Sequence, residues 1–341
     1  MTRVLVDVPV YEPGLKRLAG LPGVEVEVCD PISEKRMPRK TSLISDREIL
    51  FCGAPPENLD DMIELKWIQI ASSGFESLIP LNLPKRGIRA SNARGVFDTP
   101  IAEWCLAMMV NLTRDLPQLY RNQQAGHWDR DARFQTEIRG RTVGFWGYGG
   151  LARETARLAK TLGLRVHALT RNGARPQVNL YRVEGTGDPE GQLPDAVFTM
   201  EGKREFLESL DFLVMGLPLN DRTRGMVTAE DLKTLRPSAY VLNPARGPLI
   251  REEALLQALR EGWIAGAALD THYHYPMPPD HPLWSFPNVI MTPHISGSTK
   301  SNSFPERVWD LFVQNVSRYL VEEPLLNLLD PIALSPEGGS T

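Results

Sequence analysis

The chain has 341 residues, of which 38 are basic and 42 acidic, giving a net charge of −4; this length allows two domains, each with its own core. Charges of both signs are spread without blocks, which excludes the clustered Lys and Arg of a nucleic-acid footprint. The most apolar stretch, IAEWCLAMMV, is about half as long as a membrane-spanning helix and contains Glu103, so no membrane partner is expected.

The N-terminus, MTRVLVDVPVYEP, reads as a strand rather than a signal peptide. Three separated cysteines, at 29, 52 and 105, offer neither a disulfide framework nor a thiolate metal cluster. A reducing cytoplasm is the expected location. After the first strand comes the helix-like PGLKRLAGL, and then further strand and helix pieces in EVEVCD and LISDREILFCG. KWIQIASSGFES is a buried strand ending in a small-residue turn, and GIRASNARG is similar. DTPIAEWCLAMMVNLTRDLPQLYRNQQAG carries the strongest helical signal. Asp98 or Thr99 caps it, Pro100 suits its first turn and Glu103 complements its dipole. Ile101, Leu106, Met109 and Val110 predict a broad apolar face, packed on both sides. From Arg141 a second α/β series runs through strands at TVGFW, LRVHAL, DFLVM, AYVLN, AGAAL and NVIM. Such alternation is the signature of parallel α/β sheets. The tail from Ala333 has turn composition and is expected to be disordered.

TVGFWGYGGLARETARLAK holds Gly147-x-Gly149-x-x-Ala152 between an apolar strand and a helix, a dinucleotide fingerprint. The first Gly permits the tight turn, the second lets the backbone approach a pyrophosphate, and the small third residue allows close helix packing. Tyr148, Gly150 and Leu151 complete the turn, whose free N–H groups face phosphate. The next strand ends in Thr170, Arg171 and Asn172, with no acid from Leu164 until Glu184. An acid there would bind a ribose 2′-OH; a hydroxyl and a guanidinium suit a 2′-phosphate. NADP is therefore expected over NAD, the alternative being that Arg171 simply projects into solvent.

With these residues in order, the chain resembles the D-isomer-specific 2-hydroxyacid dehydrogenases, which use NAD or NADP. The motifs that carry the resemblance are the Gly147 fingerprint, GLPLNDRTRG at 216–225, VLNPARGPLI at 241–250, GAALD at 266–270 and TPHISG at 292–297. SSGFES at 72–77 and SNARG at 91–95 match more weakly. The resemblance implies two doubly wound parallel-sheet α/β domains, a Rossmann nucleotide domain inserted into a flavodoxin-like substrate domain. Residues 1–97 and 299–332 would form the substrate domain, 98–298 the nucleotide domain and 333–341 a loose tail. It also implies a homodimer, joined through roughly Trp104 to Gln135.

The family's chemistry is hydride transfer between the nicotinamide and the carbon bearing the hydroxyl. By resemblance, Arg246 binds the substrate carboxylate and polarises the carbonyl, and His294 is the acid/base. Both roles suit the side chains: a guanidinium fork matches a carboxylate, and imidazole titrates near neutrality. Backbone amides at Ser73 and Gly74 would hold the other end of the carboxylate, Asp270 the nicotinamide carboxamide, and Leu217, Pro218 and Thr223 the cofactor channel, with Ala245 and Gly297 alongside. Phe97, Trp104, Tyr275 and Trp284 suggest a more aromatic pocket than glyoxylate requires.

One position departs from the family. Its members usually carry a Glu five residues after the Asp270 equivalent, bonded to the catalytic His; here that place is Tyr275, before Pro276. A phenol does not stabilise imidazolium as a carboxylate does, so His294 should titrate lower, unless another acid such as Asp280 takes over. The segment THYHYPMPPDHPLW also resembles formate dehydrogenases, which have Gln there. Gly95, Val96 and Phe97 lack the polar pair those enzymes carry. No metal is expected: His272, His274 and His281 have no helical spacing, and no Cys or acid cluster accompanies them in sequence. The stretch 172–204 exceeds the family's usual length and either covers the adenosine end of the cofactor or a dimer partner, or is a surface elaboration. The expected activity is reduction of a small 2-oxo acid to the D-2-hydroxy acid. A dehydrogenase of an atypical substrate and a non-catalytic nucleotide sensor are the alternatives.

Overall fold

A computed structural model describes residues 1–31, 36–131 and 135–335, which fall into two compact units. The first comprises Met1–Phe97, Val178–Val183 and the stretch from Thr299. Its elements are β1 (Thr2–Asp7), α1 (Glu12–Ala19), β2 (Val24–Val28), α2 (Thr41–Ile44), β3 (Ile49–Cys52), β4 (Trp67–Ile70) and β5 (Arg89–Ser91). The five strands are parallel, in the order β2-β1-β3-β4-β5, the flavodoxin-like winding. Every residue of β3 and β4 is buried, as expected for strands covered on both faces. The helix Ser303–Leu320 covers one face, with Phe312 stacked on Phe51 at 4.1 Å.

Two details here differ from the sequence reading. Val178–Val183 packs with the first unit although the surrounding sequence belongs to the second. Tyr181 drives this: it is buried in the first core, its N–H donates to the Asn327 side chain and its hydroxyl to Asp310. Order also continues past Ala333, because Leu334 is buried among Leu59, Leu78 and Leu83; residues 336–341 of the expected loose tail lie outside the described residues.

The second unit is Asp98–Gln177 and Glu184–Ser298. It runs α3 (Asp98–Thr113), α4 (Leu116–Gln124), β6 (Thr142–Trp146), α5 (Gly150–Thr161), β7 (Arg165–Leu169), β8 (Ala196–Phe198), α6 (Lys203–Glu208), β9 (Phe212–Met215), α7 (Ala229–Thr234), β10 (Tyr240–Asn243), α8 (Glu252–Arg260), β11 (Gly266–Leu269) and β12 (Val289–Met291). The strands are again all parallel, in the order β12-β11-β10-β9-β6-β7-β8. This is the Rossmann order with one strand added at an edge.

The long helical signal splits into α3 and α4 at Asp115, which adopts a left-handed φ of 47° two residues before Pro117. Pro117 has no N–H to give the carbonyl of Thr113 four residues back and its ring would clash there, so α3 cannot run on through it, whereas the first turn of a new helix accepts it. The buried face of α3 is also offset from the expected one. Ala102, Cys105, Met109 and Leu112 are buried, whereas Val110 is 37% exposed. Cys105, Met109 and Leu112 of α3 lie in one core with Ala152, Ala156 and Ala159 of α5, whose small side chains let the two helices approach closely.

Between β7 and β8 the added stretch folds back over the start of α5. Asp188 is buried; its carboxylate accepts from the Tyr148 hydroxyl (2.8 Å) and from the N–H groups of Gln192 and Leu193. Arg153, buried in α5, donates to the carbonyls of Asp188 and Arg175, and buried Glu154 accepts from the Gly187 N–H at 2.6 Å. Charged residues on a helix that would otherwise face water are thus each given partners by the added stretch. Asp188→Ala orphans a buried hydroxyl and two amides and should lower unfolding stability by ~2–4 kcal/mol. An unchanged urea midpoint would show that Asp188 is not what holds this stretch down.

Candidate active site

The glycine turn sits where the strand order reverses, β6 lying between β9 and β7, the position at which doubly wound sheets bind ligands. Gly147 has φ +95°, and a Cβ there would lie 2.7 Å from the Gly216 carbonyl oxygen and 2.8 Å from Leu217. α5 begins at Gly150, with Gly149 before it, so its first-turn N–H groups point toward this turn. At the end of β7, Thr170 buries a hydroxyl that has no partner. Thr99, read from sequence only as a possible helix cap, does the same in the first turn of α3, next to Asp98, whose carboxylate lies against Gly150. Two orphaned hydroxyls beside a glycine turn fit a dinucleotide, whose ribose and phosphate groups could supply the missing partners. Arg171 and Asn172 are exposed, and Arg171 pairs with no carboxylate among the described residues. Tyr148 turns its phenol to Asp188, so only its backbone faces the turn. Thr223 donates to the Pro218 carbonyl at 2.7 Å and accepts from the Asn220 N–H, building the loop after β9 that Leu217 begins.

The N-x-x-R-G motif explains itself in the structure. The Asn243 side chain accepts from the N–H groups of Ala245 and Arg246 and donates to the Arg246 carbonyl at 2.8 Å, fixing the turn after β10. Gly247 is required because a Cβ there would come within 2.5 Å of the His272 backbone. The Arg246 guanidinium donates to its neighbour's carbonyl, that of Ala245, and meets no carboxylate among the described residues. It is a cation held without a counter-ion, not a structural ion pair.

His294 follows β12 with a left-handed φ of 57°, a conformation uncommon outside glycine and held only where the surroundings impose it. Asp270, fully buried after β11, imposes it. One carboxylate oxygen accepts from the Thr292 hydroxyl (2.6 Å) and the Ile295 N–H (2.9 Å), the other from the N–H and hydroxyl of Ser296. The His294 N–H donates to the Asp270 carbonyl at 2.8 Å. Four accepted bonds fill the acceptor sites of a carboxylate. Asp270 therefore anchors the turn that carries His294; Gly297 closes that turn. Ser296, which the sequence reading passed over, is part of the anchor.

Burial pushes the His294 imidazole below its ordinary value. The Arg246 guanidinium acts in the same direction, Asp270 opposes it and His272 adds to the lowering. Asp280 is not among these groups. Tyr275 does stand beside His294, with ring centroids 5.7 Å apart at 54°. Its hydroxyl accepts from the His272 N–H at 3.1 Å and so is turned from the imidazole. His272 is buried; its Nε2 donates to the Thr292 carbonyl at 2.8 Å, and its Nδ1 has no partner. Neither tryptophan offers its indole N–H to a ligand: Trp104 donates to Thr292 and Trp284 to the Pro278 carbonyl. Both brace the loops around His294.

In the first unit, Ser73 and Gly74 lie after β4, where the Asn92 side chain donates to the Ser73 carbonyl at 2.6 Å and Ser72 to that of Gly74. Their own N–H groups donate to none of the described residues. Phe97 packs on Phe304 at 5.5 Å.

A doubly wound sheet with a glycine turn at its switch point defines a dinucleotide-binding protein. Residues 106–296 match the family described as the D-isomer specific 2-hydroxyacid dehydrogenase NAD binding domain. The glyoxylate reductase of Thermofilum pendens is 32% identical over 311 residues, 87% of this chain and 86% of that protein. A D-isomer specific 2-hydroxyacid dehydrogenase family protein from Aeromonas salmonicida superposes with a TM-score of 0.76 at 28% identity, covering 97% of this chain and 99% of that one. The NADPH-dependent glyoxylate/hydroxypyruvate reductase of Sinorhizobium meliloti, solved with citrate, gives 0.69 at 25% identity, covering 97% and 98%. The chain belongs to the D-isomer specific 2-hydroxyacid dehydrogenases, a family of NAD(P)-dependent oxidoreductases.

In an NMR titration His294 should show a midpoint below the ordinary imidazole value of about 6.5; a midpoint above it would contradict the environment described. The unfolded chain then binds this proton at higher pH than the folded one. The group thus costs stability as pH falls from about 6.5 towards its folded value.

Proposed function

We propose that the protein reduces a small 2-oxo acid of the glyoxylate or hydroxypyruvate kind to its D-2-hydroxy acid, with NADPH preferred over NADH. The observation that carries this reading is the pairing of an uncompensated guanidinium, Arg246, with an imidazole that feels its charge and is locked in a strained turn, His294. Bound nicotinamide supplies the hydride to the carbonyl carbon. The Arg246 fork binds the carboxylate and draws electron density from the adjacent carbonyl. His294 gives its proton to the carbonyl oxygen as the C=O bond becomes C–OH, and regains one from solvent; in oxidation it accepts that proton. The free amides of Ser73 and Gly74 are suited to a carboxylate oxygen. Trp104 and Trp284 serve as braces, so the aromatic content no longer argues for a bulky substrate, and the names of the relatives point to small ones.

The preference for NADP rests on the orphaned Thr170 hydroxyl followed by the unpaired Arg171, together with the stated cofactor of the Sinorhizobium meliloti relative. A homodimer is part of the reading. α4 buries none of its residues, and Tyr120 and Trp128 are 59% and 87% exposed; residues 132–134 of the expected arm lie outside the described residues. A reducing cytoplasm suits three free cysteines.

Oxidation of NADPH and NADH over a panel of 2-oxo acids tests the activity. Turnover of glyoxylate or hydroxypyruvate is expected, and His294→Asn should lower kcat by ~10²–10⁴ without weakening NADPH binding. Tight cofactor binding with no turnover on any acid would instead indicate a nucleotide sensor. Tyr275→Glu places a carboxylate beside His294 and should move the pH–rate midpoint up by ~1–3 units. An unmoved profile would show that the missing carboxylate does not set this proton's affinity.

A further inference from the structure

Two histidines of the segment before β12, His274 and His281, take no part in the network around His294. His281 precedes the short turn at Pro282–Ser285, and its side chain is only 9% exposed. Its Nε2 lies 2.5 Å from an oxygen of Glu252, the first residue of α8. His274 is exposed, its ring centroid is 6.0 Å from that of His281, and its imidazole hydrogen-bonds to none of the described residues. One donor atom from each of Glu252, His274 and His281 lies within 4.8 Å of the other two.

The loop is built to keep them together. The Tyr273 hydroxyl donates to the Ile250 carbonyl at 3.2 Å, tying the residue before His274 close to Glu252 in the chain. The Pro278 carbonyl accepts both the His281 N–H (3.1 Å) and the Trp284 indole N–H (2.8 Å). Prolines at 276, 278, 279 and 282 limit the remaining freedom. The entropy of gathering three donors is largely spent in folding, before any ligand arrives.

We propose that Glu252, His274 and His281 bind a divalent transition-metal ion, zinc or a close neighbour, which clamps the loop to α8. Two imidazole nitrogens and one carboxylate oxygen suit such an ion, whereas calcium and magnesium call for all-oxygen sites. Bonds of ~2.0–2.2 Å place tetrahedral donors about 3.4 Å apart. The Glu252–His281 pair must open slightly, and exposed His274 swings in by a side-chain rotation. His281 Nδ1 accepts the Leu283 N–H at 3.3 Å, so Nε2 now carries the proton shared with Glu252. On metal binding Nε2 gives that proton to solvent and the ring is reprotonated at Nδ1, at the loss of this long Leu283 bond. Solvent fills the open coordination position. His274 immediately precedes Tyr275, so the ion would steady the phenol that packs on His294. Only that effect on turnover rests on the proposed reaction; binding itself does not.

The test is calorimetric titration of Zn²⁺ into the tag-free, chelator-stripped full-length chain, with Co²⁺ absorption as a reporter of tetrahedral geometry. About one ion per chain is expected. His274→Ala, an exposed change that leaves the fold intact, should weaken binding by a factor of about a hundred. Glu252→Gln should weaken it too, and His127→Ala, at an exposed histidine elsewhere, should leave it unchanged. The absence of stoichiometric binding, equal affinity in the wild type and the His274 variant, or equal loss in the His127 control would each overturn the proposal.

Discussion

The turn that carries His294 depends on one buried carboxylate. Asp270 accepts four hydrogen bonds from Thr292, Ile295 and Ser296, and those bonds hold His294 in a backbone conformation it would not adopt alone. A buried carboxylate is expensive unless its lone pairs are satisfied, so the turn and the acid sustain each other. Trp104 extends the assembly by donating to the same Thr292 hydroxyl that donates to Asp270. The position of the imidazole is thus set by α3, β11 and the turn after β12 together, three elements of one unit.

The electrostatics at the site follow from what is missing as much as from what is present. Arg246 has no counter-ion among the described residues, and the side chain packed on the His294 ring is a neutral phenol, Tyr275. Burial, the guanidinium and a second imidazole all favour the neutral form of His294, with Asp270 alone opposing. The Arg246 cation, unpaired among the described residues, suits an anionic ligand, while the His294 imidazole beside it holds a proton more weakly. In the proposed reaction the Arg246 charge would serve recognition at some expense to the protonated imidazole.

Features encoded locally were legible in the sequence. The Gly147 fingerprint, the alternating strands and the N-x-x-R-G turn depend on neighbours in the chain, and counting five residues from Asp270 placed Tyr275 beside His294 as the structure does. The break at Asp115 was also written locally, in Pro117, but the strength of the flanking helical pattern hid it. Features made by tertiary approach were not legible. The buried face of α3 is decided by the alanines of α5, and the N–H partners of Trp104 and Trp284 are likewise set by tertiary approach. His274 and His281 gain a carboxylate only because α8 brings Glu252 to them, and nothing near them in sequence announces it. The orphaned hydroxyl of Thr99 belongs to the same category, since burial without a partner has no signature in a string of letters.

The excursion of Val178–Val183 alters the topology of the whole chain. With it, the polypeptide passes from one compact unit to the other four times, after residues 97, 177, 183 and 298. A nucleotide unit excised as 98–298 would carry Tyr181 away from its burial site, leaving an aromatic ring and its hydrogen-bonding backbone stranded in water, while the remnant would keep a ring-sized hole. The two units are therefore not interchangeable modules. Swapping either one with that of a relative lacking this extra stitch would leave a defect in both halves.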